Sequence, residues 1–506
     1  MLKFGWGEEK FVFTKPVALM GQFAERISEY EEKPLTATAF VVDSGDDQMT
    51  LCSVDLVSIS WKFVDYVKEE LKKETLEGFD ADKLVISSIH NHTGPAYLGY
   101  GLQIISKTEA SKSLKTGKQI LIDALPEGRK YIESAPVSQN DAITSPAEAH
   151  AEIVPKIAKA IKTAWLTRSE GGYSTAFGRA VIGLCRRATY NDGSAQMWGD
   201  TNKAAFDALE GGNDSGVELM YVFNADKKLT GIVANVACPA QCVQHRHFIS
   251  PDFWGETKML LRRHFGEDIF LLALCSAAGD QCPVDLVRWV EPESDVNDPN
   301  ITRKNPLKRK ADPSMFDLAG MKKAGKRLAN EIIDVYEEGI DEPTTDAVFE
   351  HEKLMMQLPL RRVTLADEEL AKREIRAYLA TKSGDIDYND VANMHVYTGL
   401  LQRLELQDKI DIVDTEVHIM RLGNIAFATN PFELFLDYGN QIRVRSLAEQ
   451  TFLVQLANGH EVYLPTEKAE KGGHYSAYVS SGTVGHVGGE QLVRETLTVI
   501  KKMFTK

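Results

Sequence analysis

Two histidines one residue apart, His90 and His92, follow a short β-branched run, Lys83-Leu84-Val85-Ile86. Such a run predicts a buried strand, and residues two apart on a strand share a face, so the imidazoles are expected to project together. Gly94-Pro95 then turns the chain. Converging imidazoles at the end of a core strand suit a divalent metal, and equally suit hydrogen-bonded loop residues unless further ligands reach them. A second group, Cys238, Cys242, His245 and His247, could form a structural zinc site of its own. Its spacing fits no standard finger, and buried free thiols are the alternative. A third stretch, Cys275-Ser276-Ala277-Ala278-Gly279-Asp280-Gln281-Cys282, has small residues that let the backbone approach a ligand, then an acid and a thiol.

The elements that must hold these groups read as alternating strands and helices. Strand-like runs at 36–42 and 49–54 flank a turn and predict a hairpin; helical spacing follows over 62–76, then the strand before His90. That order makes a βαβ unit. Asp55, at the end of the second strand, is either a partner to a ligand or a helix N-cap. Further strands are expected at 176–184, 218–223, 229–237, 269–274, 415–422, 425–429 and 451–456, with helices at 147–167, 254–265, 314–338 and 367–382. The Gly-rich stretch 482–489 lacks phosphate-loop chemistry and reads as a structural loop before a closing helix. No internal repeat is evident. The whole of 1–506 reads as one α/β catalytic domain, a mixed sheet flanked by helices, with helical insertions at 102–145 and 288–410.

Composition narrows the class. Hydrophobic residues make up 43% and charged residues 26% of the 506, ordinary for a globular protein. Lys+Arg of 58 against Asp+Glu of 73 gives −15, which argues against nucleic acid or an anionic membrane as the main partner and leaves a small-molecule substrate as the expectation. The basic run Lys304–Lys310 reads as a solvated loop. No stretch approaches the ~18 apolar residues of a membrane span. The first ten residues carry no apolar signal core, and six scattered cysteines suit free thiols, so a cytoplasmic location is expected.

In order along the chain, His90-Asn91-His92-Thr93-Gly94-Pro95, Gly279-Asp280-Gln281-Cys282-Pro283, Asn430-Pro431-Phe432-Glu433 and Tyr463-Leu464-Pro465-Thr466 resemble the motif set of the neutral/alkaline ceramidase family. The resemblance implies a zinc-dependent amidase. By position it makes His90, Glu433 and Tyr463 metal ligands, places His92 and Asp280 in the site, and assigns the active-site arginine to Arg186 or Arg187. Two positions depart from the pattern. Cys238 stands where the family has a second zinc histidine, so Cys238, or His245 or His247 swinging in, is the expected remaining ligand. Cys282 stands in the place of the nucleophilic serine. The family's C-terminal immunoglobulin-like domain has no counterpart after the closing helix. The expected activity is zinc-dependent hydrolysis of a C–N bond in a small cytosolic substrate. Ester or lactone hydrolysis, and ligand binding without turnover, are the alternatives.

Overall fold

One four-element unit is used three times. A β-hairpin is followed by a helix and then by a strand that pairs in parallel with the second hairpin strand. In chain order the strands of the first sheet are β1 (Lys3–Lys10), β2 (Thr36–Asp43), β3 (Gln48–Val54), β4 (Leu84–Ser88), β5 (Ser169–Arg179), β6 (Gly216–Asn224), β7 (Leu229–Val236) and β8 (Phe270–Cys275). They form a single sheet in the order β8-β7-β6-β5-β1-β2-β3-β4. A second sheet holds β9 (Phe349–Pro359), β10 (Ile412–Leu422), β11 (Ile425–Thr429) and β12 (Gln450–Val454), in that order. The three units are β2-β3-α1-β4, β6-β7-α3-β8 and β10-β11-α5-β12, with α1 at Trp61–Leu71, α3 at Asp252–Phe265 and α5 at Leu436–Arg445. Their parallel pairs end in register at Val54 and Ser88, Val236 and Cys275, and Thr429 and Val454. No sequence repeat betrays this, because a unit this small is specified by apolar alternation and turns, not by particular side chains. The structure, a computed structural model, describes residues 1–22, 25–97, 114–133, 140–288 and 316–505. The basic run 304–310 lies outside the described residues, as do 102–113, 134–139 and 289–315 of the insertions expected at 102–145 and 288–410.

The sheets pack face to face. Phe4, Trp6, Phe40, Leu51 and Val85 of the first share a buried cluster with Met420, Phe427 and Phe452 of the second. The outer faces are covered by helices. Helix α1 and α2 (Pro146–Leu166) cover β2–β4, α3 and α4 (Asp317–Glu338) cover β6–β8, and α5 and α6 (His486–Phe504) cover the second sheet. Helix α2 shows why: Ser145 and Glu148 form a capping box, Pro146 opens the first turn, and Ile153, Ile157, Ile161 and Trp165 line one face. Each such side chain contributes about 1.5–3 kcal/mol when fully buried. The mixed sheet flanked by helices is the expected architecture.

Three local expectations are corrected. Asp55 is neither cap nor ligand partner; its side chain turns back to Thr36, and Ser60 caps α1. Helix α4 begins after Phe316, without a side-chain cap. Helix α6 begins inside the Gly-rich stretch, because Glu470 accepts from the backbone of His486 and so supplies a cap from elsewhere in the chain.

Glu8 ties β1 to α3 through Lys258 (2.8 Å) and Arg262 (2.9 Å). Burial pushes its carboxyl up, but the two cations outweigh that and hold it at about 2 against 4.5 unfolded. A depressed carboxyl stabilises above its unfolded pKa, and that stability is lost as pH falls through the folded value. Comparing unfolding between about pH 5 and pH 2, Glu8→Gln should therefore lose on the order of 3 kcal/mol less than the parent. Equal losses in the two proteins would contradict it.

Candidate functional site

The carboxyl ends of the three parallel pairs converge, as binding sites on open α/β sheets do. From the first come His90 and His92, from the second Gln241 and the stretch Gly279–Cys282, and from the third Glu433, His460 and Tyr463. The loop following β12 is pinned to β4: Asn458 accepts from Ile86 N (2.8 Å) and donates to Leu84 O (2.9 Å). Glu433–Leu434 and Tyr463–Leu464 run side by side as a two-residue parallel ladder.

His90 does not lie on the strand. β4 stops at Ser88, and His90 takes φ +57°, a left-handed conformation that costs a side-chain-bearing residue about 1–3 kcal/mol. Backbone hydrogen bonds hold it from both sides: Asn91 N donates to Leu56 O and His92 N to Ala240 O. The two imidazoles do meet, at 3.2 Å between their Nε2 atoms, but a kinked loop brings them together and not strand alternation.

The hydrogen-bond network fixes which ring nitrogens face the cluster. His90 Nδ1 lies 2.8 Å from Val57 O, which can only accept, so Nδ1 carries a proton and Nε2 is the nitrogen turned to the other site residues. Gln241 takes Arg186 Nη1 on its oxygen (3.3 Å), which turns its amide nitrogen to His92 Nε2 (2.9 Å). Glu433 Oε2 lies 3.3 Å from His90 Nε2. Burial raises the Glu433 carboxyl, but His90 and His460 outweigh burial and hold it well below the carboxylate range. His90 Nε2, His92 Nε2 and Glu433 Oε2 thus lie close together, an arrangement that a shared proton or a metal cation satisfies. The imidazole, carboxylate and phenol chemistry fits zinc. Among the described residues, however, no group of three or more His, Cys, Asp and Glu side chains is gathered tightly enough to hold an ion as the side chains stand.

Cations and phenols complete the wall. Arg186, 2% exposed, donates through Nη2 to Gly279 O (2.8 Å) and Tyr463 OH (3.3 Å), and lies 3.9 Å from Glu433. Tyr463 also hydrogen-bonds Glu433, and Tyr475 hydrogen-bonds Tyr463. Burial, then Glu433 and Tyr475, push the Tyr463 phenol well above its usual value. Arg187 is the structural one of the two arginines, buried against Glu210. His92 is held well below the usual imidazole value by burial first and by His90 next.

Two expected residues do other work. Asp280 points at α5, where its Oδ1 accepts from Leu436 N (2.9 Å) at the first turn, and burial pushes it up to about 6. Cys282 Sγ is within 3.4 Å of both Val284 N and Val284 O, and burial pushes the thiol up to about 12 despite Arg186. Cys238 is not brought to Glu433; its Sγ faces the carbonyls of Ile182 and Pro239 (3.5 Å each) inside an apolar cluster. A separate zinc site at 238–247 is not formed either: Cys242 bonds Asp252, His245 pairs with Asp317, and His247 is exposed.

Four site residues had no sequence signal: Gln241, His460, Tyr475 and Gly21. Gly21, at φ +102°, lies so close to His92 that a Cβ there would meet its Cγ at 2.4 Å.

No family model matches this chain, and no curated protein sequence does. Solved structures do. A ceramidase complexed with C2 superposes with a TM-score of 0.65 at 14% identity, over 98% of this chain and 74% of that one. Neutral ceramidase from Pseudomonas aeruginosa superposes with a TM-score of 0.62, also at 14% identity, over 99% and 75%. At that identity the similarity establishes the fold.

Proposed function

We propose that this chain is a hydrolase of C–N (amide) bonds that uses a zinc ion held by His90, Glu433 and Tyr463. The observation that carries the reading is Glu433, a buried carboxylate facing His90, His460, Tyr463 and Arg186 at once, on a fold shared with ceramidases. When bound, the ion supplies Lewis acidity toward the carbonyl and lowers the pKa of water. The chain's own groups supply the rest. Arg186, a buried cation beside Glu433, balances the negative charge that develops on the oxygen of the tetrahedral intermediate. His92, kept neutral, accepts the proton of the attacking water and returns it to the leaving nitrogen. Arg26 steadies that imidazole by donating to His92 O and Met20 O.

The unpaired, buried state of all six cysteines supports a cytoplasmic setting, and a small substrate is proposed with it. Among the described residues no helix is long and apolar enough to cross a membrane.

Cys282 takes no part in this reaction. On a panel of short N-acyl amines, Cys282→Ala should retain turnover within about threefold of the parent; a loss of ~10²-fold would assign the attack to the thiol. Cys238, turned from the cluster, favours a second reading, a binding protein on the same scaffold. That reading requires ligand-induced thermal stabilisation with no turnover of amides or esters.

A further inference from the structure

We infer that His460, not Cys238, is the second imidazole-position ligand of the metal centre. The inference rests on the metal-dependent reading above and concerns which residue completes it. His460 Nε2 lies 3.6 Å from Glu433 Oε1, while His90 Nε2 lies 3.3 Å from Oε2, so one carboxylate carries an imidazole on each oxygen. The side chain of His460 is 11% exposed and its Nε2 is buried without a hydrogen-bond partner. A buried imidazole nitrogen left unmatched is costly, and an ion beside Glu433 removes that cost.

Placement also favours it. His460 sits between Asn458, anchored to β4 below His90, and Tyr463, paired with the Glu433 strand. Leu456, Asn458 and Val462 in this loop all take left-handed φ values of 49–59°. Such a conformation is kept only where surroundings over-determine it. Cys238 shows the opposite features: its sulfur lies against the carbonyls of Ile182 and Pro239 within an apolar cluster and is not turned to Glu433.

The test uses the full-length protein, metal-stripped and then loaded with Zn²⁺ or Co²⁺, with folding checked by circular dichroism. The parent should bind one equivalent of Zn²⁺, His460→Ala should lose ~10²-fold in affinity, and Cys238→Ala should bind as the parent does. The Co²⁺ form should lack a thiolate-to-cobalt charge-transfer band in the parent and gain one in His460→Cys. This second variant keeps a ligand in place and so reads the position even if the alanine variant folds poorly. If Cys238→Ala loses metal while His460→Ala keeps it, or if the parent shows the thiolate band, the assignment is overturned and the metal reading stands. If the parent and Glu433→Gln alike bind no metal, both fail.

Discussion

Glu433→Gln should lower turnover of an amide substrate by ~10²–10³-fold and destabilise the fold by about 3–5 kcal/mol. The two losses have different origins. Gln keeps the shape but carries no charge, so the Tyr463 hydroxyl loses an anionic acceptor and His460 and Arg186 lose the charge they face. The stability loss follows from Arg186, which is buried and left with Gln241, Tyr463 and a backbone carbonyl but without the Glu433 charge. Removing one partner of a buried pair costs more than the pair contributed. Urea unfolding beside steady-state kinetics checks both. Unchanged unfolding with activity within tenfold of the parent would remove Glu433 from the centre of the site.

Gly21→Ala should cost ~10²-fold in kcat/KM and about 1–3 kcal/mol in stability. The residue makes no polar contact with the reacting groups. Its effect is steric, since the new methyl would lie 2.4 Å from the His92 ring, on a backbone at φ +102°. The ring must swing, and with it the Nε2 that faces both His90 and Gln241. In a His92→Ala background the same change should cost little further activity, because the imidazole it displaces is gone. Additive losses would show that Gly21 acts elsewhere.

The architecture was legible because buried strands and amphipathic helices follow from periodicity, which needs no partner to be recognised. His90, His92, Glu433 and Tyr463 were legible from motifs, and Arg186 as one of two adjacent candidates; the side chains do lie together. What failed was direction. A sequence names Cys282 and Asp280 but does not say that one sulfur lies against Val284 and that one carboxylate caps α5. Cys238 fits a ligand by type and position, yet its sulfur turns to carbonyls. His460 and Gln241 lie on loops without periodicity, and their importance comes only from what the fold sets beside them. Even the histidine pair was expected for the wrong reason, since a left-handed residue, not strand alternation, aims it.

The threefold use of one ββαβ unit bears on how such a centre can change. Each unit delivers its own side chains from loops beyond its own parallel pair, and those loops are rooted in the core: Ile89, Ala240 and Val243 pack in one apolar cluster, Phe432, Leu434 and Leu464 in another. Polar and apolar residues alternate closely along these loops, so a polar donor can change while its apolar neighbours keep the loop in place. Chemistry on this scaffold can therefore vary at single positions, but a loop cannot be lost without opening the core beneath it.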